Sequence, residues 1–80
     1  MRIDQFLKKT LIFRQREAAR RMCVRNLVKV NGRYSKPSKI IRPGDSIEIE
    51  IPKGIRRIKV LKIPEGNVQR DEVGLYYEEM

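Results

Sequence analysis

Gln15-Arg16-Glu17-Ala18-Ala19-Arg20-Arg21-Met22-Cys23-Val24-Arg25-Asn26 runs directly into Leu27-Val28-Lys29-Val30-Asn31-Gly32-Arg33-Tyr34. The apolar period changes from 3.6 to 2 at that junction. In the first part, at about 100° per residue and with Arg16 at zero, Arg20 falls near 40°, Arg21 near 140° and Arg25 near 180°. Ala18, Met22, Ala19 and Cys23 fill the remaining arc, so the spacing predicts a helix over 15–25 with one apolar and one basic face. Asn26 suits the left-handed residue that ends such a helix. In the second part Val28 and Val30 alternate with Lys29, and Asn31-Gly32 is the strongest short hairpin signal, a type I′ turn into Arg33-Tyr34-Ser35.

Upstream, Asp4 is placed to cap a short helix over Gln5 to Thr10, with Ile3, Phe6 and Leu7 on its inner side. Downstream, Pro37 and Pro43-Gly44-Asp45 punctuate a loop in which Ile40 and Ile41 plug the core. Ser46-Ile47-Glu48-Ile49-Glu50-Ile51 reads as a half-buried strand with its three isoleucines inward. Pro52-Lys53-Gly54 turns the chain into a further strand over 55–63. Gly66-Asn67 precedes a tail with one or two helical turns around Val73, Leu75 and Tyr76. The expected architecture is α+β: two short N-terminal helices packed on a small, mostly antiparallel sheet. The expected division is a folded domain over 1–63 and an acidic tail or short helix over 64–80.

Eighty residues allow one domain with a thin core and no room for a deep substrate pocket. The chain has no His, no Trp and one Cys. An internal disulfide and a four-ligand zinc site are therefore excluded. Without His, a general base at neutral pH or a nucleophilic triad is hard to assemble, which argues against an enzyme. No cofactor or metal is implied. Charged residues interrupt every window long enough to span a bilayer. The N-terminus lacks the apolar core and cleavage site of a signal peptide, so a soluble cytoplasmic protein is the default reading.

The net charge is +9, and it is unevenly spread. Met1 to Arg42 holds thirteen basic and two acidic residues; Pro43 to Met80 holds six basic and eight acidic. Such segregation points to a polyanionic partner, nucleic acid first and an anionic membrane surface second. The membrane reading is the weaker, because the apolar arc of the basic helix is Ala, Met and Cys instead of Trp, Phe and Leu. Phe6 reads as core, leaving Phe13 and Tyr34 as stacking platforms. So few aromatics favour structured RNA over single strands.

Taken in order, Arg2-Ile3-Asp4-Gln5-Phe6-Leu7, the basic second helix, Val28-Lys29-Val30-Asn31-Gly32, Lys36-Pro37-Ser38 and Pro43-Gly44-Asp45-Ser46-Ile47 resemble the S-four RNA-binding domain, or alpha-L motif. The resemblance runs in register from Arg2 to about Ile51. Within that family the chain is most similar to the short free-standing, ribosome-associated members, the group of the fifteen-kilodalton heat-shock protein and of the ribosome quality-control factor P. Two departures stand out: Asn26 where the family usually has Gly, and Thr10-Leu11 where many members have Ser-Arg.

The resemblance implies a non-enzymatic protein that binds structured ribosomal RNA and tRNA on the large subunit, with peptidyl-tRNA retained during ribosome-associated quality control. A ribosome-assembly or tRNA-binding accessory role is the alternative. The residues expected at the RNA interface are Arg2, Asp4, Lys8, Lys9, Arg14, Arg16, Arg20 and Lys36, Asp4 being either a helix cap or an arginine-orienting partner. Lys29, Arg33 and Lys39 extend the basic surface along the hairpin. The free protein is expected to be a monomer with no membrane partner.

Overall fold

A computed structural model describes residues 1–80. Helix α1 covers Ile3–Lys9 and α2 covers Arg16–Val24; β1 is Val28–Val30, β2 Arg33–Tyr34, β3 Ser46–Ile51 and β4 Gly54–Val60. A 3-10 helix over Arg70–Leu75 leads into β5, Tyr77–Glu79. The strands form one antiparallel sheet in the order β2-β1-β3-β4-β5. Cross-strand registers stack Val28 on Ile49, and Val30 on Ile47 and Ile47 on Ile58, so one sheet face is a continuous apolar surface. Ile3, Phe6 and Leu7 of α1 and Ala19 and Cys23 of α2 cover it.

The local rules hold where backbone chemistry dictates them. Asn31 and Gly32 have φ of 51° and 85°, the two left-handed residues of a type I′ turn. Asn26 has φ 61° and ends α2 as expected. Ala18 and Met22 are half-buried beside buried Ala19 and Cys23, so the apolar arc of α2 faces the core and is not free to enter a bilayer.

Several expectations change. Helix α1 begins at Ile3, with Arg2 at the N-cap position and no capping side chain. Its first free N–H groups are taken by the loop: Ile3 donates to the Lys39 carbonyl at 2.8 Å and Asp4 to that of Pro37 at 3.3 Å. Asp4 is therefore not the cap, and its carboxylate is left for other partners. Of the two loop isoleucines only Ile41 is core; Ile40 is 51% exposed, since adjacent residues of an extended segment face opposite ways. Ile51 lies at the β3–β4 turn, beyond the helices, and is 37% exposed.

Strand β4 ends at Val60 rather than Ile63, because Leu61 and Lys62 turn their N–H groups to the Tyr76 carbonyl. The tail is then recruited into the sheet. Val60 pairs with Tyr77 and Ile58 with Glu79, a fifth strand that sequence reading did not anticipate. Arg56 fastens it, donating Nε to Glu79 at 2.8 Å and Nη2 to the Tyr77 hydroxyl at 3.2 Å. The Glu79 hydrogen bond holds the Arg56 guanidinium above its ordinary pKa.

Candidate nucleic-acid interface

The docking of α1 on the 37–39 loop brings three charged side chains together. Asp4 is 1% exposed. Its Oδ2 accepts from Arg2 Nη2 at 3.1 Å, and its Oδ1 lies 3.4 Å from Arg16 Nε at the start of α2. Arg16 thus meets Asp4 through Nε, and Arg2 meets it through Nη2. The two arginine side chains stay nearly half exposed, at 43% and 47%, while the carboxylate is buried. Asp4 cannot itself touch a polyanion. It sets the position of two arginines that can.

Only two buried side-chain polar atoms lack a hydrogen-bond partner, and both belong to this trio: Arg2 Nε and Asp4 Oδ1. The fold's unmet polar demand is concentrated at its charged site. Asp4 also acts inward. Burial first, and the Asp4 charge second, push the Cys23 thiol up to about 11, so it stays protonated and unreactive at neutral pH.

Beside the trio lies an open groove of about 570 Å³ lined by Arg33, Tyr34, Ser35, Lys36, Ser38 and Lys39, among others. Three cations and no carboxylate line it. Groove and trio share one piece of backbone. The carbonyls of Pro37 and Lys39 hold the start of α1, and Arg2 forms a β-bridge with Ile40. Asn31, also in the groove wall, braces the hairpin, donating Nδ2 to Asp45 at 3.0 Å and accepting the Ser46 N–H at 2.9 Å.

The expected residues therefore divide. Arg2, Asp4 and Arg16 form the trio, with Lys36 in the adjoining groove. Arg20 lies one turn beyond Arg16 and pairs with Glu17 at 3.3 Å, an exposed contact of little energetic weight. Lys8 is exposed four residues after Asp4 on α1. Lys9 instead donates to the Gly66 carbonyl at 3.2 Å, and Arg14 lines a separate cleft next to the C-terminal segment. Lys29 does not line the groove; it alternates with core-facing Val28 and Val30 and lies 4.9 Å from the ring centre of Tyr34, which does. Phe13 packs partly against the core and lines a separate cleft with Arg21 and Arg25. Sequence reading missed Ser35 and Ser38, which become groove residues only through the loop's path, and Arg70, which joins Arg14 across the second cleft.

No helix is long and apolar enough to cross a membrane. No cluster of three or more potential ligands could hold a metal ion. What the geometry defines is a small α+β module with a fixed arginine pair beside a cationic groove. The chain belongs to the S4 domain family, whose model matches residues 1–47.

Among named relatives, the RQC P-site tRNA stabilizing factor of Helicobacter pylori (strain J99) is 40% identical over 77 residues, spanning 95% of this chain and 92% of that protein. The protein of the same name from Streptococcus pneumoniae (strain R6) is 30% identical over 76 residues, spanning 95% and 86%. Vibrio cholerae Heat Shock Protein 15, solved as a trimer, superposes with a TM-score of 0.92 at 28% identity, covering 100% of this chain and 81% of that one. The solution structure of hypothetical protein HP1423 gives 0.86 at 37% identity, covering 100% and 96%.

Proposed function

We propose that this protein is a non-enzymatic RNA-binding factor that holds structured ribosomal RNA and tRNA on the large ribosomal subunit. In this reading it steadies peptidyl-tRNA left on the subunit after a stalled ribosome splits, and so supports quality-control tailing of the nascent chain. The observation that carries it is the pair of arginines, Arg2 and Arg16, fixed on one buried carboxylate beside a groove free of acidic residues. A rigid array of that kind suits the phosphates of a folded RNA, whose base edges are hidden and whose backbone shape is what a protein meets. The relatives named as P-site tRNA stabilizing factors support the choice of tRNA and of the quality-control setting.

The residues assigned to contact RNA are Arg2, Arg16, Arg20, Lys8, Arg14 and Lys36, with Asp4 as the positioning residue and Lys9 bracing the C-terminal segment. Residues 1–63 form the binding domain, and 64–80 complete its sheet. The protein acts in the cytoplasm as a single copy. The test is gradient co-sedimentation of the tagged protein from lysate at low and moderately high salt, with tRNA assayed in the bound particles. Salt-resistant enrichment on large subunits carrying tRNA is the expected result. Protein confined to the top of the gradient at both salts would sink the reading.

A further inference from the structure

At the far end of α1 from the Arg2 site, a second cleft of about 320 Å³ opens between the α1–α2 loop and the C-terminal segment. Thr10, Leu11 and Arg14 form one wall, and Arg70, Val73 and Tyr77 the other. Arg14 and Arg70, far apart in the chain, both line it. Neither has a carboxylate within salt-bridge distance, and no acidic residue lines the cleft. Like charges gathered around open space repel each other in the free protein, and an anion between them relieves that cost.

The walls are ordered on both sides. The Thr10 hydroxyl donates to the Phe6 carbonyl at 2.7 Å, and Lys9 ties α1 to Gly66. The 3-10 helix carrying Arg70 opens on a capping box, in which the Glu72 carboxylate accepts the Gln69 N–H at 2.8 Å. That engagement occupies Glu72, and Asp71 lies outside the cleft. The Tyr77 hydroxyl accepts from Arg56. Arg70 is thus carried on fixed backbone, opposite Arg14, with its charge unspent.

We infer that Arg14 and Arg70 form a second phosphate site of the RNA interface, which makes the C-terminal segment part of the binding surface. The inference rests on the RNA-binding reading above and extends it to a residue outside the matched family region. Seven residues of α1, at about 1.5 Å each, separate the two cationic sites by roughly 10 Å, well within the reach of one folded RNA.

The experiment pellets the whole protein with purified bacterial large subunits carrying tRNA across a series of salt concentrations. Arg70→Gln is expected to weaken binding about tenfold, the effect of one charge-assisted contact, and to lower the log–log salt slope by about one. Arg70→Lys should keep the slope. Lys53→Gln removes an equal charge from the β3–β4 turn and should leave binding as it is. A folded Arg70→Gln protein with unchanged affinity and slope, beside an Arg16→Ala protein that binds weakly, overturns this inference alone. An equal loss from Lys53→Gln reduces the effect to net charge and also overturns it. Wild-type protein that does not pellet overturns both this inference and the functional reading.

Discussion

Asp4 Oδ1 and Arg16 Nε, on different helices, lie 3.4 Å apart, with the carboxylate buried and the guanidinium at the surface. Charge alone and geometry make opposite predictions here. Removing a negative charge from a basic protein should tighten RNA binding. Releasing Arg2 and Arg16 from a fixed position should weaken it, by about threefold to tenfold for each side chain that must then be ordered on binding. We expect Asp4→Asn to weaken ribosome association, with a stability loss of only about 1 kcal/mol because both arginines are partly solvated. Pelleting assays and urea melts would measure the two effects, and tighter binding would remove Asp4 from its positioning role.

Arg16→Ala, and next Arg2→Ala, should each weaken association about tenfold without unfolding the domain. Circular dichroism checks the fold, and co-sedimentation reads the binding. Normal association by either folded variant takes that residue out of the site.

Asn31 serves the hairpin twice, through its left-handed backbone and through its side-chain brace to Asp45 and Ser46. Asn31→Gly keeps the first and loses the second, which should cost about 1 kcal/mol. Asn31→Ala also loses the tolerance of the left-handed φ of 51° that Asn and Gly share, adding about another 1 kcal/mol. Denaturant titration should therefore rank wild type above Gly and Gly above Ala. Equal midpoints for Asn and Gly would show that the brace contributes nothing.

Cys23 gives the protein an alkaline limit. Its thiol is raised from 9.0 to about 11 in the fold, so the folded state keeps a proton that the unfolded chain releases. That stabilisation is complete below pH 9.0 and is lost as pH rises toward 11, by up to about 2 to 3 kcal/mol. Cys23→Ala should flatten the stability profile between those limits. Thiol labelling at pH 8 should proceed only through unfolding, and rapid labelling of the native protein would contradict the burial.

The elements legible in the sequence were those fixed by local rules. The Asn31-Gly32 turn, the left-handed Asn26 and the apolar arc of α2 each follow from residue type and spacing. Fold class followed from their order. What escaped depended on contacts between distant segments. The carbonyls of Pro37 and Lys39 displaced Asp4 as the cap, and Arg56 drew Tyr77 and Glu79 into the sheet. The candidate site divided for the same reason. Helical spacing relates residues on one helix, but only the packing of α1 against α2 tells which arginine meets Asp4. The separate settings of Lys9, on the Gly66 carbonyl, and of Lys29, over the Tyr34 ring, were not legible because a count of basic residues carries no direction.

The seating of α1 on the 37–39 carbonyls has a consequence for biosynthesis. Arg2 is separated from its backbone partner, Ile40, by the two helices and the hairpin. The arginine pair therefore cannot take its final geometry until the chain through Ile41 has emerged and closed that long loop. A nascent copy carries the positive charge from the start and acquires the shape late.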